Sequence, residues 1–317
     1  MIWGAEPLVF DRDGLDWPNR EASAFVETRG VRWHVQRMGK GPELFMIHGT
    51  GASTHSWAAL IPMLAKCFDV VAPDLPGHGF TQVRRAPDLS LPGMARAAGA
   101  LLKALDFAPK VVVGHSAGAA ILARLCLDGA IAPALFVSLN GAFLPFEGAA
   151  YYLFPSIAKL LFLNPLAPRV FAWAADRRAV ENLLRGTGSR IDRRGVDFYA
   201  RLLGNPAHVA GAIGMMANWD LSSFARELPS LKPRIMLVVG GEDKAVPPGD
   251  AAAFAKKVPG ASVETIHHAG HLAHEEKPEE VADLILQEAV ACGVIAAPKP
   301  AAHRRGKPPH DPLIKTS

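Results

Sequence analysis

The chain has 317 residues, half of them hydrophobic, which suits one large α/β domain with an insertion or two small domains. Its formal net charge of +4 resides in residues 296–317, and the balanced remainder excludes a basic nucleic-acid-binding face. Three widely spaced cysteines without a C-x-x-C pair argue against a disulfide framework and a zinc site.

The predicted elements begin with an irregular N-terminal arm over residues 1–22. Residues 1–7 have no basic start and no long apolar run, so no secretion signal is predicted and we expect a cytoplasmic protein. Residues 24–27 and 31–35 are rich in β-branched and aromatic residues and are joined by Thr28-Arg29-Gly30, which predicts a β-hairpin.

Beyond the hairpin, short apolar strands alternate with helical segments. The predicted strands cover residues 44–47, 70–72, 111–113, 135–139, 235–239 and 262–266. The predicted helices cover residues 54–66, 91–105, 119–127, 251–257 and 278–291. This alternation predicts an α/β fold with a mostly parallel central sheet and helices on both faces.

The alternation stops near residue 140 and resumes near residue 234. The sequence therefore predicts a helical cap over residues 141–225, inserted into a core made of residues 23–140 and 226–295. The apolar side chains of this cap either pack onto the core or line an apolar pocket. Both interpretations stay open, because the two roles use the same residue types. The candidate substrate-binding residues are His55, Phe143, Tyr151, Phe154, Trp173 and Trp219.

The last predicted segment is a disordered basic tail over residues 296–317. It contains five prolines, five lysines and arginines, and few large apolar side chains. We interpret it as a solvated tail, and contact with an acidic partner or an anionic membrane surface is the alternative.

The chemistry centres on the pattern G-x-S-x-G formed by Gly114, Ser116 and Gly118. A run of valines precedes the pattern and a helical segment follows it, which is the context of a nucleophile elbow. A serine on so tight a turn lies in strained backbone, and side chains at 114 and 118 would collide with the neighbouring strand and helix. The sequence therefore predicts Ser116 as a nucleophile.

A serine hydroxyl needs a base, and the base needs an orienting acid. Asp243 follows the predicted strand 235–239, and His271 follows the strand 262–266. Because open parallel sheets place their sites at the C-terminal ends of strands, we expect both side chains to meet Ser116.

Several neighbours compete for these two roles. Glu242 is an alternative acid, and His267, His268 and His274 are alternative bases or metal ligands. No carboxylate or cysteine set of zinc-like spacing accompanies them, so neither a metal site nor a cofactor is predicted.

The oxyanion hole is predicted from two backbone N–H groups. Ala117 directly follows the nucleophile, and Thr50 lies in the loop after the strand 44–47. His48 is expected to be structural, and Asp74 and His78 are expected to hold their own loop.

Five motifs resemble the α/β-hydrolase superfamily over residues 23 to 293. They are HGTG at 48–51, PDLPGHG at 73–79, GHSAG at 114–118, GGED at 240–243 and GHLAHEEKP at 270–278. More narrowly, the stretches at 48–57, 72–81 and 113–121 look like magnesium-chelatase accessory proteins of bacteriochlorophyll biosynthesis. That resemblance implies a role around magnesium insertion into protoporphyrin, contact with magnesium chelatase, and a cap that faces a tetrapyrrole.

Three hypotheses for the function follow. The first is a serine hydrolase that acts on an ester-like bond of an apolar small molecule. The second is a porphyrin-binding or chaperone protein for the chelatase, with little or no hydrolysis. The third is a cofactor-free haloperoxidase or perhydrolase, which uses the same triad. The pattern G-x-x-x-x-G-K-[ST] is absent, which argues against ATP-driven chelation.

Overall fold

The computed structural model describes residues 5–145, 161, 164 and 166–297. Within these residues a single sheet of nine strands forms the centre of the fold. The strands are β1 Ser23–Thr28, β2 Val31–Gly39, β3 Glu43–Ile47, β4 Asp69–Pro73, β5 Gln82–Val83, β6 Val111–His115, β7 Leu135–Leu139, β8 Arg234–Gly240 and β9 Ser262–Ile266.

The helices of the described residues surround this sheet and fill the insertion between β7 and β8. They are α1 Phe10–Asp13, α2 Leu60–Leu64, α3 Leu91–Ala104, α4 Ala117–Leu127, α5 Ala167–Ala174, α6 Arg177–Gly186, α7 Arg193–Leu203, α8 Pro206–Ala217, α9 Phe224–Glu227, α10 Pro248–Lys257, α11 Ala273–Glu276 and α12 Pro278–Ala291. Short 3₁₀ turns cover Arg20–Ala22, Thr54–Trp57 and Leu228–Ser230.

The sheet has the order β1-β2-β4-β3-β6-β7-β8-β9, with β5 paired to β2. Every neighbouring pair from β4 to β9 is parallel, while β2 pairs antiparallel with β1, β4 and β5. The mostly parallel sheet predicted from the alternating pattern is thus confirmed. The C-terminal ends of β3, β6, β7, β8 and β9 therefore face the same edge.

The nucleophile strand β6 is buried on both faces. Val112 packs into the cluster on the side of α3 and α4, whereas Val111 and Val113 pack into the cluster on the side of α2 and α12. Successive side chains of a strand point to opposite faces, so a run of three valines suits a strand that is covered on both sides. This burial fixes the position at which the chain turns toward Ser116.

The helix predicted over residues 54–66 is divided into a 3₁₀ turn and the short helix α2. Pro62 lies inside α2 and has no N–H to donate to the carbonyl of Ala58. That carbonyl accepts a hydrogen bond from the side chain of Asn19 instead, at 3.2 Å. The prediction of one continuous helix was therefore wrong.

The N-terminal arm is more ordered than its sequence indicates. It contains α1, and Trp17 is buried against Phe80 and Phe198. The indole N–H of Trp17 donates to Thr54 Oγ1 at 3.1 Å. A large aromatic side chain buried in this way gives an arm without long secondary structure a fixed place on the core.

The described part of the insertion consists of helices α5 to α9. Helix α8 is buried on nearly all sides, which matches its almost uniformly apolar sequence. The remaining part of the predicted cap, with Tyr151 and Phe154, lies outside the described residues, as does the predicted tail from residue 298 onward. Each helix that the structure describes is too short or too polar to span a lipid bilayer.

Candidate active site

Ser116 lies on the sharp turn between β6 and α4. Its backbone has φ 52° and ψ −120°, a conformation that a residue with a side chain rarely adopts. The turn is held by the N–H of Ser116, which donates to Leu139 O at 3.0 Å, and by the N–H of Ala142, which donates to Ser116 O at 3.1 Å. Ser116 is partly exposed, whereas both flanking residues are buried.

Glycines make this turn sterically feasible. A Cβ at Gly118 would lie 2.2 Å from the carbonyl oxygen of Ile47 in the adjacent strand. A Cβ at Gly114 would lie 2.5 Å from Cα of Ala119 in the helix. Both contacts are impossible, so the structure confirms that the neighbouring strand and helix exclude side chains at these positions.

Asp243 and His271 lie together beyond the ends of β8 and β9. The ring N–H at Nδ1 of His271 donates to Asp243 Oδ2 at 2.8 Å. Oδ1 of Asp243 accepts the backbone N–H groups of Ala245 and Val246 at 2.8 and 2.9 Å. The Asp243 side chain is fully buried, and 12% of the His271 side chain is exposed. The carboxylate is therefore fixed by backbone donors and holds the imidazole in one orientation.

Asn140 is a member of this site that sequence reasoning missed. Its side-chain amide donates to Asp243 Oδ2 at 2.7 Å, and the residue is buried at the end of β7. Its φ of 49° lies in the left-handed region, which asparagine tolerates better than most residues. An asparagine directly after a buried strand at the carboxyl edge of the sheet was the available signal.

His115 connects the nucleophile turn to the histidine loop. Its ring Nε2–H donates to the carbonyl oxygen of His271 at 2.9 Å. The two rings pack with centroids 4.8 Å apart. Burial holds the pKa of His115 well below its usual value, so the ring is neutral. These contacts bring the loop of His271 directly onto the residue that precedes Ser116.

The loop 48–51 lies against the nucleophile turn. A Cβ at Gly49 would come within 2.8 Å of His115 Nδ1 and 3.0 Å of Ser116 Cβ, so glycine permits this close approach. In the described residues, no protein hydrogen bond uses the backbone N–H of Thr50 or of Ala117. An oxyanion hole needs N–H groups without a protein acceptor, and its assignment to these two groups stays a prediction.

His48 is structural in the way the sequence suggested. Its Nδ1–H donates to the carbonyl oxygen of Gly49 at 2.7 Å, and its Nε2 accepts the N–H of Leu75 at 3.0 Å. Each nitrogen has one partner, so the ring is neutral, and burial lowers its pKa. His48 thus ties the loop 48–51 to the loop after β4.

Asp74 organises the loop after β4. It accepts hydrogen bonds from His34 Nδ1 at 2.8 Å and from the backbone N–H groups of Thr54 and Phe80 at 2.7 and 2.8 Å. Burial alone would raise the pKa of Asp74, but these donors and the neighbouring His34 hold it below its ordinary value. The carboxylate therefore remains ionised and keeps three chain segments in register.

His208 on α8 joins the insertion to both loops, and sequence reasoning did not identify it. Its Nε2–H donates to Gly51 O at 3.1 Å, and its Nδ1 accepts the N–H of Gly79 at 3.0 Å. Burial lowers its pKa to about 4, so it is a neutral bridge at physiological pH. Thr50 adds a further contact, since its hydroxyl lies 3.4 Å from the sulfur of Met215 on the same helix.

The alternative acids and bases lie elsewhere. His267 and His268 are exposed, and His268 Nδ1 lies 3.5 Å from Glu242 Oε1 on the surface. His274 is buried, and its Nε2 lies 2.7 Å from Ser56 Oγ. Among the described residues, no group of three or more histidine, cysteine, aspartate or glutamate side chains is arranged to hold a metal ion.

Four of the six predicted substrate-binding residues lie in the described part of the chain. Phe143 is buried against Phe136 and Phe254 in the main core, and Trp219 packs partly buried onto the same core. His55 is buried between Trp17 and Tyr199, and its Nδ1 lies 2.8 Å from Ser53 Oγ.

Trp173 lies on α5 and is 87% exposed. Tyr151 and Phe154 fall outside the described residues. The described part of the chain therefore joins the predicted acid and base directly, and it places the loop of His271 and the loop 48–51 against the turn that carries Ser116.

The sequence profile of the α/β-hydrolase family matches residues 44–284. The chain belongs to the α/β-hydrolase family. Among solved structures, an α/β-hydrolase-fold protein from Burkholderia ambifaria has a TM-score of 0.72 and 22% identity, covering 84% of this chain and 97% of that one. This likeness agrees with the sheet and confirms the predicted fold class.

Two relatives show which members of the family this chain resembles. The magnesium-chelatase 30 kDa subunit of Rhodobacter capsulatus is 38% identical over 274 residues, which cover 86% of this chain and 95% of the relative. Pyrrolizixenacetamide deacetylase of Xenorhabdus hominickii is 29% identical and covers 76% of this chain and 88% of the relative. The resemblance to magnesium-chelatase accessory proteins is confirmed.

Proposed function

We propose that this α/β hydrolase is a serine hydrolase that cleaves an ester-like bond in an apolar substrate. The observation that carries the proposal is the 2.8 Å hydrogen bond between His271 and the buried Asp243, in a loop that contacts the nucleophile turn through His115. A strained serine beside a histidine that is oriented by a carboxylate is the arrangement that activates a hydroxyl.

The chemistry proceeds in two halves. His271 Nε2 takes the hydroxyl proton as Ser116 Oγ attacks the carbonyl carbon, and the backbone N–H groups of Thr50 and Ala117 stabilise the oxyanion. His271 then gives that proton to the leaving group, and an acyl-serine remains. Water repeats the sequence, with His271 as base, and releases the acid and free Ser116. Asp243 orients the ring and stabilises the imidazolium in both halves.

The apolar character of the substrate is inferred from the surroundings of the site. Helix α8 is almost wholly apolar and contacts the loop 48–51 through Met215. The deacetylase from Xenorhabdus hominickii is named for removal of an acyl group, which supports acyl-transfer chemistry in a relative of similar length.

We further propose that the protein acts beside magnesium chelatase, with a porphyrin as its apolar small molecule. This rests on the similarity to the Rhodobacter capsulatus subunit over nearly the full length of both chains. The same similarity favours a second candidate function, in which the protein binds or delivers porphyrin and does not hydrolyse it.

The test of the hydrolase proposal is labelling with a fluorophosphonate probe, which reacts with activated serines. The wild type is expected to label, Ser116→Ala not to label, and Asp243→Asn to label at least a hundredfold more slowly. Ser230→Ala, which changes an exposed serine, is the matched control and should label like the wild type. A folded wild type that does not label would refute the proposal.

The second candidate is tested by titrating Ser116→Ala with protoporphyrin and following tryptophan quenching. Saturable binding of protoporphyrin, together with a wild type that does not label, would favour the delivery function. Labelling together with turnover of porphyrin esters would favour hydrolysis.

A further inference from the structure

The turn between α6 and α7, residues 187–190, contacts both the loop that carries Asp243 and the loop that carries His271. The carbonyl of Thr187 accepts the N–H of Lys244 at 3.0 Å, next to the acid. The hydroxyl of Ser189 accepts the N–H of Leu272 at 2.8 Å, next to the base. Ser189 is fully buried, so this hydrogen bond is shielded from water.

The backbones of the three segments are in direct contact. A Cβ at Gly188 would lie 2.0 Å from the carbonyl oxygen of Glu242. A Cβ at Gly270 would lie 2.3 Å from the carbonyl carbon of Gly188. Gly188 also has φ 88°, which favours glycine. The turn therefore packs directly against both the loop that carries Asp243 and the loop that carries His271.

Glu276 adds a second connection between the turn and the histidine loop. Its Oε1 accepts the N–H of Gly270 and its Oε2 accepts the N–H of Arg190, both at 2.9 Å. One carboxylate thus binds the residue before His271 and the last residue of the turn.

A third connection runs through Glu275 and helix α7. The phenol of Tyr199 donates to Glu275 Oε1 at 2.8 Å, and Ser56 Oγ donates to the same oxygen at 2.7 Å. The other partner of Ser56 is His274 Nε2 at 2.7 Å. The His274 ring packs on the His115 ring, with centroids 4.4 Å apart. The insertion, the loop of His271 and the nucleophile turn are therefore linked by buried contacts.

We propose that Ser189 and Tyr199 are positioning residues, through which the insertion holds the loop of His271 in register with Asp243 and Ser116. The inference rests on the proposed serine-hydrolase function. A displacement of α6 and α7, for example when a substrate binds against the insertion, changes the placement of His271 and hence the rate of acylation. Binding at the insertion is in this way coupled to catalysis.

The ionisation of Glu275 makes the labelling rate depend on pH, and a contact with a purely structural role would not produce that dependence. Burial raises the pKa of Glu275 to about 8, so the carboxyl is neutral below that pH and ionised above it. The titratable and charged groups around it are Tyr199, His274, Asp192, Glu276 and, on the same cavity of about 510 Å³, His55 and Arg194.

Burial holds the pKa values of His274 and His55 at about 3, and raises that of Tyr199 well above its usual value. These three groups therefore do not change charge near pH 8. An ionised Glu275 accepts stronger hydrogen bonds from Tyr199 and Ser56, which holds the loop more firmly.

The experiment measures the second-order rate constant of fluorophosphonate labelling for the wild type, Ser189→Ala, Tyr199→Phe and Glu275→Gln, from pH 6 to pH 9.5. We expect Ser189→Ala and Tyr199→Phe to label about tenfold more slowly, the equivalent of one lost buried hydrogen bond. The wild-type profile should contain a rise with a midpoint near pH 8 that Glu275→Gln lacks. Glu181→Gln, at a half-buried glutamate of α6 that pairs with Arg185, is the matched control and should keep that rise.

The outcomes separate this inference from the proposed function. Rates within twofold of the wild type at all pH values would overturn the positioning role while leaving the hydrolase proposal intact. Absence of labelling in the wild type would refute the hydrolase proposal itself. Tyr199→Phe keeps the aromatic ring and decides the result if Ser189→Ala does not fold.

Discussion

Replacing Glu275 by glutamine is expected to change how the stability of this α/β hydrolase depends on pH. Burial raises the pKa of Glu275 from its ordinary value of 4.5 to about 8. Between these two values the folded protein holds a proton that the unfolded chain has released. The free energy of unfolding therefore falls as the pH rises through this window. Glutamine has the same shape and keeps an oxygen for Ser56 and Tyr199, but it cannot ionise.

The size of the effect follows from the displacement of the pKa. A group whose pKa moves from 4.5 to about 8 changes the free energy of unfolding by on the order of 3 to 5 kcal/mol across the window. This loss is complete near pH 8 and absent below pH 4.5. The advantage of Glu275→Gln over the wild type should therefore grow by that amount from pH 5 to pH 8.5.

The assay is urea unfolding followed by tryptophan fluorescence at pH 5, 6, 7, 8 and 8.5. Glu264→Gln, which changes an exposed glutamate on β9, is the control and should follow the wild type throughout. Parallel stability curves for the wild type and Glu275→Gln would refute the reasoning, because they would mean that Glu275 ionises equally well in the folded and unfolded states.

Three further predictions concern the site and its supports. Asn140→Gly removes the amide that binds Asp243 while keeping the positive φ accessible, so labelling of Ser116 should slow about tenfold. Because alanine is strained at a positive φ, Asn140→Ala should in addition lower the free energy of unfolding by about 1 kcal/mol. Gly118→Ala places a methyl group 2.2 Å from Ile47 O, so we expect more than about 3 kcal/mol of destabilisation in urea unfolding, together with loss of labelling. Burial lowers the pKa of His208 to about 4, so the contribution of this residue to stability is full above about pH 6.5 and declines as the pH falls toward 4. The melting temperature of His208→Gln should therefore be lower than that of the wild type at pH 7, and it should decline less between pH 6.5 and pH 4.

The central strands and the nucleophile turn could be predicted because their signals are local. The strands at 135–139 and 262–266 have the predicted bounds, since short apolar runs between turn residues have few alternatives to a buried strand. The collision that excludes a side chain at Gly118 was likewise implied by a serine turn between a strand and a helix. The helix predicted over residues 54–66 is divided in the structure, because the periodic pattern of apolar residues takes no account of the missing N–H of Pro62.

The supports of the site could not be predicted because each joins segments that are remote in the chain. Asn140 and Asp243 are 103 positions apart, and Leu272 and Ser189 are 83 apart. Nothing in the local sequence of Ser189 distinguishes it from an ordinary turn serine. Its role depends on how the insertion folds back onto the sheet, which local propensity does not describe.

Sequence alone is enough to place a serine, a carboxylate and a histidine beyond the ends of parallel strands, because strand order and turn residues are encoded locally. It leaves open which of two adjacent carboxylates faces the histidine. The tertiary structure turns Asp243 inward, where backbone N–H groups and Asn140 bind it, and turns Glu242 outward toward the exposed His268. A buried carboxylate requires several donors converging from different segments, and only the assembled fold brings such donors together.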